Sequence, residues 1–148
     1  MFKRILVPTD GSKSANQALK MAIGFAVDQG AKLRVVHILE DLPWQFNVSP
    51  MAIDMTPLLK SWRKSGEDIL KKAMLQAKKA GLIPEESLIE AIGETPSSLI
   101  SNEAQAWNAD LIIVGTHGRH GIERLFLGSV AEGIARTSPI PVMLVHKK

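Results

Sequence analysis

The sequence predicts an α/β fold: a single domain with a five-stranded parallel sheet and helices on both faces. Three observations carry that prediction. Short apolar runs of strand length, Ile5 to Val7, Leu33 to Leu39 and Leu111 to Val114 among them, alternate with longer stretches whose apolar residues recur at helical spacing. The strand runs are continuous and rich in branched side chains, the pattern of strands buried on both faces. The stretches between them are long enough to cross back over the sheet as helices, so that successive strands run parallel through right-handed crossovers.

Each element follows in order. Ile5 to Val7 is the first strand, ended by Pro8. Thr9-Asp10-Gly11-Ser12 leads into a helix on which Ala15, Ala18, Leu19, Ala22, Ile23 and Ala26 make one apolar face, with Gly30 as its stop. Leu33 to Leu39 is the second strand. Residues 42–57 mix three prolines, Pro43, Pro50 and Pro57, with bulky apolar side chains, and are expected to be an irregular segment that either covers the core or closes over a ligand. A long helix is expected from Leu58 to Ala80, with Leu59, Ile69, Leu70, Ala73, Met74 and Ala77 inward and Gly81 at its end. Ser87 to Ile92 reads as the third strand. Thr95-Pro96 opens a further helix, a capping residue and then proline at the first helical position, and Leu99, Ile100, Ala104 and Trp107 continue at core spacing. After the fourth strand and a glycine-rich loop, Val130, Ala131, Ile134 and Ala135 give another helix, and Pro139 and Pro141 precede a last strand, Val142 to Val145.

Composition narrows the function classes. At 148 residues, 45% hydrophobic and 22% charged, the chain is expected to be one domain over 1–148 with an ordinary core. The absence of cysteine excludes disulfide scaffolds, thiolate zinc sites and cysteine nucleophiles. The net charge of +3 is scattered. Its partial concentration at Lys71, Lys72, Lys78 and Lys79 alternates with apolar positions, as a solvated helix face does, so no nucleic-acid partner is expected. The apolar run after Lys3-Arg4 stops at Pro8, too short for a signal peptide, and no stretch reaches the length of a membrane span. The expected location is the cytoplasm, with no membrane partner.

The chemistry lies in the loop after the fourth strand, where Gly115, Gly118, Gly121 and Gly128 stand between Val114 and Val130. Glycine at a strand exit permits positive φ and lets a ligand approach the backbone. If Gly128 and Ser129 open the next helix, its first amides lack intrahelical partners and face outward with the positive end of the helix dipole, which makes an anion site. Ile5-Leu6-Val7-Pro8-Thr9-Asp10-Gly11-Ser12 and Ile112-Ile113-Val114-Gly115-Thr116-His117-Gly118-Arg119 share a pattern of apolar strand, Thr, then Gly. The two are therefore expected to be central neighbours whose loops meet in one crevice, where ligands bind in such sheets. Asp10 then either accepts hydrogen bonds from ribose hydroxyls or caps the first helix or an Asx turn. Gly11-Ser12-Lys13-Ser14 lacks the earlier glycine of a P-loop, since Leu6 stands there. His117 and His120 have no further ligands spaced nearby, and no protein metal site is expected.

The spacing of Gly115, Gly118, Gly128 and Ser129, in register with a strand before and a helix after, resembles the nucleotide-binding signature of the universal stress protein family, ATP-binding branch. The first and last strands resemble that family too. The resemblance implies strand order 3-2-1-4-5 and an adenine nucleotide, ATP or else ADP or AMP, carrying Mg²⁺. It implies that Pro8, Thr9, Asp10 and the backbone of Ile38 meet the adenosine. Gly115, Thr116, Gly118, Gly128, Ser129 and Val130 would hold the ribose and phosphates. Arg119 and Arg124 either add bonds to the outer phosphates or are solvated. Family members pair the last strand across a two-fold axis, which implies a homodimer through residues 141–146. Three functions stay open: a nucleotide-responsive regulatory module with slow or no hydrolysis, a slow ATPase or adenine nucleotide hydrolase, and a nucleotide-free stress protein acting through protein contacts.

Overall fold

The computed structural model describes residues 1–40, 54–117 and 127–146. In chain order the elements are β1 (Arg4–Pro8), α1 (Lys13–Gln29), β2 (Lys32–Leu39), α2 (Thr56–Lys79), β3 (Glu85–Glu90), α3 (Pro96–Ala106), β4 (Leu111–Gly115), α4 (Ser129–Thr137) and β5 (Val142–Val145). The strands form one sheet in the order β3-β2-β1-β4-β5, with every adjacent pair parallel. β1 and β4 are central neighbours, Ile5 beside Leu111, as their shared sequence pattern predicts.

Alternation along the strands builds two cores. Ile5, Val7, Leu33, Val35 and Ile113 face α1 and α2, where Leu19, Ala22, Leu70 and Ala73 meet them. Leu6, Val36, Ile112 and Val114 face α3 and α4, against Ile100, Ala104 and Ile134. Each fully buried Leu or Ile contributes about 1.5–3 kcal/mol by leaving water, so the three central strands anchor both layers.

Two elements depart from the sequence reading. α2 begins at Thr56 rather than Leu58, because Pro57 fits the first turn, where an N–H has no partner to lose. In that first turn Leu59, expected inside, is 53% exposed. β3 occupies Glu85–Glu90 rather than Ser87–Ile92. Its charged start is held by Arg34 of β2, while Ile92 lies beyond the last rung, Ala91 N–H to Leu39 O, and is 74% exposed. The expected cover or lid at 42–57 falls largely outside the described residues.

Candidate functional site

The tips of β1, β2 and β4 and the starts of α1, α3 and α4 enclose a cleft of ≈ 530 Å³. It opens at the carboxyl end of the sheet, where strand order reverses between β1 and β4, the position at which open α/β sheets bind ligands. Pro8, Thr9, Asp10, Ile38, Gly115, Thr116, Gly128, Ser129 and Val130 all line it. Gly118 and Arg119, with His120, Gly121, Glu123 and Arg124, lie outside the described residues.

Three helices start at this cleft, and their caps differ. Ser12 caps α1, its hydroxyl accepting from Ala15 N–H at 3.2 Å. Asp10 Oδ1 accepts from Ser12 N–H at 2.9 Å, an Asx turn, so the helix cap is Ser12 and the Asp10 carboxylate stands at the cleft wall. α3 is capped by Thr95, which accepts from Ser98 N–H at 3.3 Å. α4 has Gly128 at the cap position and no capping side chain. The Gly128 amide donates to Thr116 O at 2.6 Å, so it ties α4 to the end of β4 and is not itself an open donor. The amides of Ser129 and Val130 follow in the first turn with no acceptor among the described residues. Both residues line the cleft at the start of α4, the positive end of its dipole.

Gly115 is needed for a reason other than the one its place at a strand exit suggests. Its φ is not positive. A Cβ there would lie 2.5 Å from Ser14 Oγ and 2.6 Å from Ser14 C, so glycine lets β4 approach the first turn of α1. Ser14 in turn accepts from His117 N–H at 3.2 Å and donates to Val145 O at 3.4 Å. Thr116 is buried, with its hydroxyl 2.9 Å from His117 Nδ1 and its N–H bonded to Val145 O. Thr116 therefore acts through its main chain, holding the start of the glycine loop between β5 and α4.

The main chain of β2 also reaches the cleft. Val36 O accepts from Thr9 N–H, toward β1, whereas Leu39 O accepts from Ala91 N–H, toward β3. By strand alternation the amide and carbonyl of Ile38 point to the β1 side, where β1 has already turned away, and nothing described there pairs with them. They make an adjacent donor and acceptor above Thr9. Main-chain recognition leaves no side-chain signature, which is why sequence reasoning reaches Ile38 only through resemblance.

Sequence reasoning missed several lining residues: His37 of β2, Trp62, Gly66 and Ile69 of α2, and Pro96 and Ile100 of α3. The signal for one pair was present, because a glycine in the middle of an amphipathic helix asks for a packing reason. That reason is His37, whose ring carbon Cδ2 would lie 2.9 Å from a Cβ at position 66. Among the described residues, no group of three or more His, Asp or Glu side chains is placed to hold a metal ion. No helix among them is long and apolar enough to cross a membrane.

A parallel sheet with a cleft at its strand reversal, and an uncapped helix start at that cleft, defines an open α/β protein of the kind in which such helix starts commonly receive anions. The chain belongs to the universal stress protein family, whose family model matches residues 1–146. It is 31% identical over 147 residues to a universal stress protein of Methanocaldococcus jannaschii, covering 99% of this chain and 84% of that relative. Among solved structures it is similar to a universal stress protein family member from Burkholderia pseudomallei, at 28% identity and TM-score 0.78, covering 97% of this chain and 96% of the other. It is also similar to a universal stress protein in complex with cAMP, at 29% identity and TM-score 0.73, covering 99% of each chain.

Proposed function

We propose that the cleft binds an adenine nucleotide, ATP foremost, and that the protein is a cytoplasmic, nucleotide-responsive stress module with slow or no hydrolysis. The observation that carries this reading is the uncapped first turn of α4, whose Ser129 and Val130 amides open onto the same cleft as the Asp10 carboxylate. In this reading the amides take phosphate, Asp10 takes ribose hydroxyls, and the amide and carbonyl of Ile38 meet the donor and acceptor on the edge of adenine. A cleft of ≈ 530 Å³ falls within the roughly 300–1,000 Å³ of small-ligand pockets. The similar structure holding cAMP supports an adenine ring and ribose at such a site. Gly118 and Arg119 complete the phosphate cradle in this proposal.

The described residues offer Mg²⁺ no acidic cluster of its own, so the ion arrives on the phosphates and keeps most of its waters. They also offer no accessible nucleophile with a base. The one hydroxyl paired to an imidazole among them, Thr116 with His117, is 1% exposed and engaged by that ring, although the residue lines the cleft. Turnover should therefore stay far below the about 10 s⁻¹ typical of enzymes.

Mass spectrometry of the small molecule released on denaturing the purified protein, with calorimetric titration of ATP, ADP, AMP and cAMP, tests the reading. An adenine nucleotide released or bound at micromolar levels is the expected result. No release and no binding of any of the four would overturn it, and several turnovers per second would overturn the regulatory role in favour of an enzyme. The partner assembly proposed is a homodimer through β5, an edge strand whose Val142, Met143 and Leu144 are only half-buried. Sedimentation at micromolar concentration should give the mass of a dimer.

A further inference from the structure

The nucleotide reading leaves one buried pair of residues without a role: His37 in the cleft floor and Gly66 in the middle of α2. We infer that His37 is a positioning residue for ribose recognition. It donates from Nδ1 to the carbonyl of Thr9 and thereby fixes the main chain that presents Asp10, and Gly66 is the vacancy on α2 that admits its ring. The inference rests on the nucleotide reading and says how that site obtains its selectivity for ribose.

Thr9 lies just past the last ladder pair between β1 and β2, Pro8 with Val36. The chain there has to leave the sheet and turn into α1 within a few residues. Thr9 N–H reaches Val36 O at 2.8 Å, and Thr9 Oγ1 accepts from Gly11 N–H at 3.3 Å. Its carbonyl, the last acceptor before Asp10, meets His37 Nδ1 at 2.8 Å, with both residues buried. A carbonyl has no proton to give, so Nδ1 carries the hydrogen, and a neutral ring leaves Nε2 bare. The peptide plane that carries the Thr9 carbonyl also carries the Asp10 amide. A bond that holds this plane fixes the position of the Asp10 Cα, from which the side chain departs.

The ring has little freedom to do anything else. On its far side, α2 comes so close that a Cβ on Gly66 would stand 2.9 Å from Cδ2 and 3.1 Å from Nε2. A glycine at mid-helix is a poor helix former, and the surrounding positions of α2 are ordinary ones, so its presence here matches the space the imidazole takes. α2 thus packs against the edge of the ring opposite the one that meets Thr9, and the strap β2–His37–Thr9–Asp10 links the long helix to the ribose end of the cleft.

The test compares ATP with 2′-deoxy-ATP by calorimetry on the full chain, because a merely structural residue would weaken both alike. Wild type should prefer ATP by about tenfold, the contribution of a hydrogen bond to a charged group. His37→Phe keeps the ring and removes the donor, and should bring that ratio close to one mainly by weakening ATP. His37→Asn places an amide donor where Nδ1 stood and should restore most of the preference. Gly66→Ala, which leaves the donor intact and improves the helix, should lower the ratio by displacing the ring.

A His37→Phe protein that keeps the wild-type ratio, or loses affinity for both nucleotides equally, overturns the inference while the nucleotide reading stands. A wild type without preference for ATP does the same. A wild type that binds neither nucleotide removes the parent reading itself. Should His37→Phe fail to fold, nitrogen-15 spectra of the wild-type imidazole decide: the Nδ1–H tautomer is expected, and an Nε2–H neutral ring overturns the assignment.

Discussion

The two ends of the sheet are built from the same kinds of groups and leave them in opposite states. At the amino end polar groups answer one another. The Arg34 guanidinium bonds to Glu85 and, at 2.6 Å, to Glu103, and lies 4.8 Å over the Trp107 ring, which Arg4 approaches at 5.2 Å. Trp107 Nε1–H donates to Glu85 at 3.1 Å, Arg4 donates to Trp107 O at 2.8 Å, and Asp110 accepts from the amides of Lys3 and Arg4. Only Arg34 Nε is buried there without a partner among the described residues. At the carboxyl end the amides of Ser129 and Val130 and both main-chain groups of Ile38 have none. Half-buried polar groups such as those of Val130 and Ile38 want partners, and the exposed Ser129 amide beside them adds a donor at the same mouth, so the closed end reads as architecture and the open end as a place kept for a ligand.

Breaking the junction on which the open end depends should have the largest effect. Gly115→Ala sets a methyl group 2.5–2.7 Å from the side chain and main chain of Ser14, which cannot swing aside as a side-chain tip would. Either β4 or the first turn of α1 has to move. We expect a loss of about 2–3 kcal/mol in urea unfolding, at the upper range for overpacking, together with loss of nucleotide binding. A variant as stable as wild type would mean that β4 and α1 are not held in contact here.

Closing the open end should separate binding from stability. Gly128 has φ −58° and ψ 149°, which any residue adopts, so Gly128→Asp supplies α4 with the capping carboxylate it lacks. The same carboxylate occupies the first-turn amides and repels phosphate. Nucleotide affinity should fall by at least about tenfold, while the ligand-free protein gains a few tenths of a kcal/mol. Equal affinity in the two proteins would remove α4 from the phosphate site.

What the sequence revealed and what it hid divide along the range of the interactions. Strands buried on both faces announce themselves locally, because Ile5 to Val7 and Leu111 to Val114 need no alternation, and the loop pattern that follows each made them neighbours before any coordinates. The glycine spacing marked the start of α4 for the same local reason. Long-range conditions were not legible. The start of β3 depends on Arg34 neutralising Glu85, a pair 51 residues apart in the chain, so apolar pattern alone shifted the strand toward Ile92. The demand for glycine at 115 comes from Ser14, and that for glycine at 66 from His37, and neither partner is near in sequence.

The smallest effect belongs to the closed end and should leave the cleft untouched. The Arg34 guanidinium beside Glu85 holds its carboxyl below the ordinary value of 4.5, with Trp107 Nε1–H helping and partial burial opposing. A carboxylate whose folded value is depressed binds fewer protons than in the unfolded chain, so it stabilises the fold above its ordinary value. That stabilisation disappears as the pH falls from 4.5 through the lowered one. Because the Glu85 side chain is 42% exposed, solvent screens the pair and the gain is modest. Glu85→Gln keeps an acceptor for Trp107 and Arg34 and removes the charge. Thermal unfolding should show wild type the more stable near neutrality, with the gap narrowing below pH 4.5, and nucleotide affinity should match in the two proteins. A gap that does not change with pH would mean the pair holds β3 through shape alone, and a change in affinity would mean the two ends of the sheet are not independent.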